Sequence, residues 1–158
     1  MLVLAGAGVS LARVEVGPCG LNLPHHHPRG AECVYMIKSE TNKSARFVFV
    51  EENSGRTIVN DIGKGRVNFF PQGLVHYGLN LGCTPLVWVS AYGNEEPGVL
   101  TLSTQLNRPL NLPPEALQLT LGLSPSEASS LIPCLPMGTV TGREECLHRC
   151  VITPHVRY

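Results

Sequence analysis

From Val9 onward, apolar and polar residues alternate in short runs, and this two-residue period predicts β-strands. The runs cover residues 9–16, 32–38, 45–51, 56–60, 66–70, 75–80 and 86–91. Turn-forming stretches divide them: Gly17 to Gly20, Pro24 to Gly30, Ser39 to Ser44, Glu52 to Gly55, Gly63 to Gly65 and Gly82 to Pro85. Strands at roughly ten-residue spacing, with no helical pattern between them, point to an all-β sandwich or barrel. The pattern changes after Glu96, Pro97 and Gly98. Pro113 to Gly122 has proline near a helix start and glycine at its stop. Ser124 to Ile132 reads as a second short helix, with Ser124 as N-cap and Pro125 at the first position. Arg143 to Cys150 reads as a third. The predicted organisation is a β-barrel over residues 1–101 and a short helical extension over 102–158.

Composition narrows the class. Lys plus Arg equals Asp plus Glu at 12 each, so the formal charge is zero. Such a chain has no electrostatic footprint for nucleic acid or for an anionic membrane surface, and neither partner is expected. With 43% hydrophobic and 15% charged residues, it is too apolar for a disordered tail. No apolar run reaches the roughly 18 residues of a membrane span. The apolar opening, Met1 to Gly8, lacks a basic region and runs straight into the first alternating stretch, so it reads as structure rather than as a signal peptide. A shortened form of a longer secreted precursor fits that reading.

Two segments carry candidate chemistry. His25 and His27 are two apart, so on an extended segment their imidazoles point the same way. Glu32 opens the next strand, where a carboxylate can return toward the pair. His76 follows a tight turn made by Pro71 and Gly73. Three neutral nitrogens and a carboxylate, with no thiolate, suit Mn²⁺, Fe²⁺ or Ni²⁺ better than a structural zinc. Four protein ligands on a six-coordinate ion leave two positions open. His26 should face away from its neighbours, and His148 and His155 read as solvated bystanders. Leu23, Phe70, Leu74 and Trp88 are apolar candidates for the mouth of the site, with core packing the better reading for each.

These residues resemble a known family. The sequence is similar to a germin-like protein of the cupin superfamily, nearest the fungal and slime-mould spherulin branch. The second cupin motif, G(X)5PXG(X)2H(X)3N, is matched by Gly65, Pro71, Gly73, His76 and Asn80. The first, G(X)5HXH(X)3-4E(X)6G, is matched by His25, His27 and Glu32, while Cys19 and Ser39 stand where its two glycines are expected. Glu96 to Leu100 is a further family-like stretch, and the resemblance covers residues 9–125. It implies a single-domain jelly-roll barrel with one divalent metal ion bound by His25, His27, Glu32 and His76. Manganese is the usual germin metal, with iron, nickel or zinc as alternatives.

The resemblance also bears on activity. Some germins are oxalate oxidases, in which two asparagines help hold the substrate. Asn22, three residues before His25, matches one of them. The other falls on Ala12, which cannot donate a hydrogen bond, a loss worth roughly 1.5–3 kcal/mol to a charged group. The expected function is therefore a metal-binding germin- or spherulin-like cupin generating peroxide, of oxalate oxidase or superoxide dismutase type, with Asn22 and Glu32 in the catalytic set. The alternatives are a metal cupin acting on another small molecule, as isomerase, lyase or dioxygenase, and a non-enzymatic secreted wall or encystment protein. A small-molecule substrate, a homo-oligomer (dimer or higher) and an extracellular location are implied as well.

Six cysteines without a C-x-x-C pair argue against a zinc ribbon and allow disulfides. Asn42, Lys43 and Ser44 form a glycosylation acceptor triplet, of use only in a secreted chain. In the implied fold the two motif strands are antiparallel. Counting away from the histidines then predicts a Cys19–Cys83 disulfide. The pairing of Cys134, Cys146 and Cys150 is left open, and Cys33 reads as a buried hydrophobe.

Overall fold

Two antiparallel sheets face each other across the core in a computed structural model that describes residues 2–3, 6–53, 55–107, 114–136, 140–142 and 144–151. The strands are β1 (Leu2–Val3), β2 (Ser10–Val16), β3 (Gly20–His26), β4 (Glu32–Lys38), β5 (Ala45–Val50), β6 (Thr57–Ile62), β7 (Val67–Phe70), β8 (His76–Asn80), β9 (Leu86–Tyr92), β10 (Leu100–Thr101) and β11 (Val140–Thr141). One sheet runs β1-β2-β9-β4-β7 and the other β10-β3-β8-β5-β6, with β11 added beside β3. Helices α1 (Leu102–Asn107), α2 (Pro114–Leu121), α3 (Pro125–Leu131) and α4 (Glu144–Arg149) follow the barrel. The all-β jelly-roll with short C-terminal helices matches the sequence expectation. No helix among the described residues is long and apolar enough to cross a membrane.

Alternation along β4 shows how the sequence builds this. Glu32, Val34 and Met36 point inward and are buried, while Cys33, Tyr35 and Ile37 point out and are exposed. Cys33 is therefore a free, exposed thiol and not the buried hydrophobe expected of it. The core gathers Val16, Val34, Met36, Ala45, Phe47, Phe70, Leu86 and Trp88. Phe47 meets Trp88 and Phe70 edge-on, with ring centroids 5.3 and 5.6 Å away, the arrangement that ring quadrupoles favour. Gly78 has to be glycine, because a Cβ there would lie 2.9 Å from the Phe47 ring.

One functional strand escaped the periodicity. The sequence around Pro24 reads as a turn, yet β3 pairs with β8 along its length. Asn22 opposes Gly78 and His25 opposes His76, so β3 spends three steps where β8 takes two. This bulge is where Pro24, which has no N–H for the ladder, is tolerated. The extra residue also resets the alternation. Asn22 and His25 thus face the same side, the interior side of Gly78 and His76.

At the other end of β3 the tail is fastened to the barrel. β11 pairs with Leu21 and Gly20, and Leu147 of α4 is buried. Disulfides join Cys19 to Cys146 and Cys83 to Cys150. The expected Cys19–Cys83 bond is thus replaced. Both cysteines do sit at the same end, where the Cys19 N–H donates to the Gly82 carbonyl. However, Cys146 of α4 and Cys150, the residue after that helix, each take one barrel partner. Cys134 is free and exposed. The Cys19–Cys146 bridge closes a separation of 127 residues, so its loss releases much unfolded-chain entropy. Urea unfolding of Cys146→Ser should show stability lower by about 2–5 kcal/mol, the range found on removing native disulfides.

Candidate metal centre

His25 comes from β3, His27 from the residue after that strand, Glu32 from the start of β4 and His76 from the start of β8. All four are buried, and their ligating atoms lie within 4.8 Å of one another. The Pro71–Gly73 turn connects the two motifs. Gly73, at φ +79°, donates its N–H to the His27 carbonyl at 3.0 Å, which ties the turn before His76 to the segment bearing His27. His26 is not among the converging residues. His148 is exposed and faces Glu144 one helical turn away, and His155 lies outside the described residues.

Each imidazole is held by its Nδ1. His25 Nδ1 lies 2.6 Å from the Leu23 carbonyl, His76 Nδ1 2.8 Å from the Leu74 carbonyl, and His27 Nδ1 2.5 Å from the Gly98 carbonyl. A carbonyl only accepts, so each Nδ1 carries a proton and each ring turns its Nε2 inward. Glu32 Oε2 lies 3.1 Å from His76 Nε2 and 3.2 Å from His27 Nε2. The His27 approach is out of line for a hydrogen bond, leaving that buried nitrogen without a hydrogen-bond partner. Phe70 stacks on His76 at 4.2 Å, and Tyr92 meets His27 edge-on at 4.7 Å.

Electrostatics keep the donor set ready for a cation. Burial, then the neighbouring His76, push His25 down to about 4, against the opposing pull of the Leu23 carbonyl and Glu32. Burial acts to raise the Glu32 carboxyl, but His27, His76 and Ser90 outweigh it and hold the group well below the usual carboxylate range. Burial and the Glu32 charge push the Tyr92 hydroxyl up to about 12. The site thus brings the neutral His25 ring and the Nε2 atoms of His27 and His76 around an anionic carboxylate. Three imidazole Nε2 atoms and a carboxylate oxygen converge within 4.8 Å, and the buried His27 Nε2 has no hydrogen-bond partner, so the residues fit a divalent ion.

A cupin family model matches residues 2–129. The chain belongs to the cupin family. This cupin is 31% identical over 149 residues to Spherulin-1B of Physarum polycephalum, covering 94% of the chain and 57% of that relative. It is 34% identical over 105 residues to a germin-like protein of Mesembryanthemum crystallinum, covering 66% of the chain and 45% of the relative. It is thus a germin- and spherulin-like cupin, and it spans about half the length of these relatives. Among solved structures, a recombinant oxalate oxidase in complex with glycolate superposes with a TM-score of 0.73 at 24% identity, over 81% of this chain and 63% of that one. That likeness bears on the fold.

Sequence reading missed three contributors to the cupin's centre: Ser90, Tyr92 and the Gly98 carbonyl. Gly98 lies in the family-like stretch Glu96 to Leu100, where a signal was present. Ser90 and Tyr92 sit in an ordinary alternating strand that carries no such mark.

The charge states set an acid limit on the metal-free cupin. Between pH 6.5 and about 4, an unfolded chain protonates this histidine while folded His25 stays neutral. The unfolded state then binds more protons, and stability falls as pH falls. Glu32 acts in the same direction, since its contribution is present above the ordinary carboxylate pKa and is lost as pH drops through its lowered folded value. Metal-free protein should therefore unfold more readily at pH 5 than at pH 7.5. Thermal unfolding of wild type beside His25→Ala at both pH values checks this, the variant showing the smaller dependence.

Proposed function

We propose that the chain is a metal-dependent oxidoreductase of germin type, holding one Mn²⁺ through His25, His27, Glu32 and His76 and releasing peroxide from a small-molecule substrate. The observation that supports it most is the convergence of three Nε2 atoms and Glu32 Oε2, with each imidazole Nδ1 proton already held by a carbonyl. When bound, manganese supplies Lewis acidity and a one-electron redox couple. The protein's own part is to hold substrate beside that ion. Asn22 opposes Gly78 on the bulged strand, three residues before His25, and the role proposed for its amide is to donate to a substrate carboxylate. Glu32, held ionised, keeps the charge balance of the site. For oxalate the overall change is balanced as oxalate, O₂ and two protons giving two CO₂ and one H₂O₂.

Ala12 supports a second reading. It lies opposite Ser90 on β2, facing the interior, where the resemblance implies an asparagine. With one amide gone, a different small molecule becomes the substrate, and the reaction is an isomerisation, lyase or dioxygenase step. A non-enzymatic wall or encystment role is the outcome if the loaded centre proves inert. Two disulfides suit an oxidising compartment, and an extracellular location is part of the proposal. So is a homo-oligomer. The outer face of the β1-β2-β9-β4-β7 sheet leaves Leu11, Tyr35, Ile37, Val67 and Phe69 exposed, and α2 exposes Leu119 to 84%.

Oxalate-dependent peroxide release by Mn-reconstituted protein tests the first reading, with metal content assayed in the same sample. The expected result is peroxide that disappears in His25→Ala together with the metal. In Asn22→Ala, peroxide should fall at least tenfold while the metal is retained. Full metal occupancy without peroxide overturns oxalate oxidation and moves the search to other small molecules.

A further inference from the structure

Ser90 has no packing reason to be polar. It is fully buried, and its partners on the two flanking strands are Ala12 and Val34, both apolar. A hydroxyl in such a place costs free energy unless its hydrogen bonds are made. They are made in one direction. Trp88 Nε1, two residues back on the same face of β9, lies 3.1 Å from Ser90 Oγ, and Ser90 Oγ lies 2.5 Å from Glu32 Oε1. An indole N–H only donates and an ionised carboxylate only accepts. The polarity of the chain is therefore fixed: Trp88 donates to Ser90, and Ser90 donates its single proton to Glu32. A hydroxyl on a carboxylate is a charge-assisted bond, among the stronger ones in a protein.

This bond divides the work of the two Glu32 oxygens. Oε1 faces Ser90, while Oε2 faces the Nε2 atoms of His27 and His76. Only Oε2 is free to meet an ion in the centre.

We propose that Ser90, locked by Trp88, is a positioning residue that makes Glu32 a one-oxygen ligand and so keeps a coordination position open for a small molecule. The proposal deepens the metal reading and rests on it. A six-coordinate ion held by three nitrogens and one oxygen retains two open positions. If Glu32 turned to bind through both oxygens, one of those positions would close. Outer-shell partners of this sort change metal affinity by roughly 10–100-fold when removed. The indole of Trp88 is also a buried member of the core, so this chain ties the placement of a ligand to the packing of Phe47 and Trp88.

The test uses Mn²⁺ itself, titrated into metal-free full-length protein, with affinity and the water-proton relaxivity of the bound ion measured together. Relaxivity reports the number of exchanging waters on the manganese. Ser90→Ala should bind Mn²⁺ about 10–100-fold more weakly, with relaxivity per bound ion reduced to about half as one open position closes. Ser90→Thr keeps the hydroxyl and should restore both readings. Trp88→Phe keeps an aromatic ring but loses the N–H; it should fall between wild type and Ser90→Ala, and it carries the test should Ser90→Ala not fold. Wild-type affinity and relaxivity in Ser90→Ala, or in Trp88→Phe where that variant stands alone, overturn the proposal. Equal loss in Ser90→Ala and Ser90→Thr also overturns it, by showing a packing role. If wild type itself takes up no Mn²⁺, the failure lies in the metal reading beneath and removes both.

Discussion

Three imidazoles whose Nδ1 protons are held by backbone carbonyls have to turn their second nitrogens on one another, and in this chain they do so around a buried carboxylate. That convergence of three ring nitrogens on one buried carboxylate is the constraint to which the rest of the barrel answers. It requires β3 and β8 to run side by side, so that His25 opposes His76, and it requires β4 to bring Glu32 in from the facing sheet. The carbonyls of Leu23 and Leu74 come from the same segments as the rings they hold. Their orientation is thus set by local chain geometry. The Gly98 carbonyl is the exception, since it reaches His27 from 71 residues away, and the chain following the last long strand is thereby made part of the centre.

The two ends of β3 do different work. At the His25 end, β10 pairs with His26 and His25 and leads into α1. At the Gly20 end, β11 and two disulfides bind the tail to the barrel. Asn80 belongs to this second end, although it completes the motif that contains His76. Its side-chain amide donates to the carbonyls of Val16, Gly17 and Thr84 and its oxygen accepts from the Gly82 N–H. It fixes the turns that carry Cys19 and Cys83. One sequence motif thus contains both a candidate ligand and the clamp for the far end of the same strand.

Much of this was legible in the chain. The seven alternating runs lie within a residue or two of β2, β4, β5, β6, β7, β8 and β9. Pro125 and Ser124 marked α3, which has the full capping box with Glu127. The four converging residues were readable from spacing and from resemblance. What escaped has physical reasons. Pro24 and a run of three histidines hide β3, because a bulge that tolerates proline leaves no periodic trace. The cysteine pairing failed because counting along two strands takes no account of a third segment, α4 with the residue after it, which supplies both partners. Ser90 is invisible for a different reason: a serine at an inward position of a strand looks like a simple departure from the pattern until its neighbours are known.

In the proposed holoprotein, His25, His27 and His76 meet one divalent ion through Nε2 and Glu32 meets it through Oε2. The most direct measurement is an anomalous difference map at the manganese edge, from crystals of the full chain grown with Mn²⁺. The account predicts one strong peak bonded to those three nitrogens and that oxygen, with every Nδ1 still on its carbonyl. A peak bonded through any Nδ1, or a fully formed cluster with no peak at saturating Mn²⁺, would contradict it.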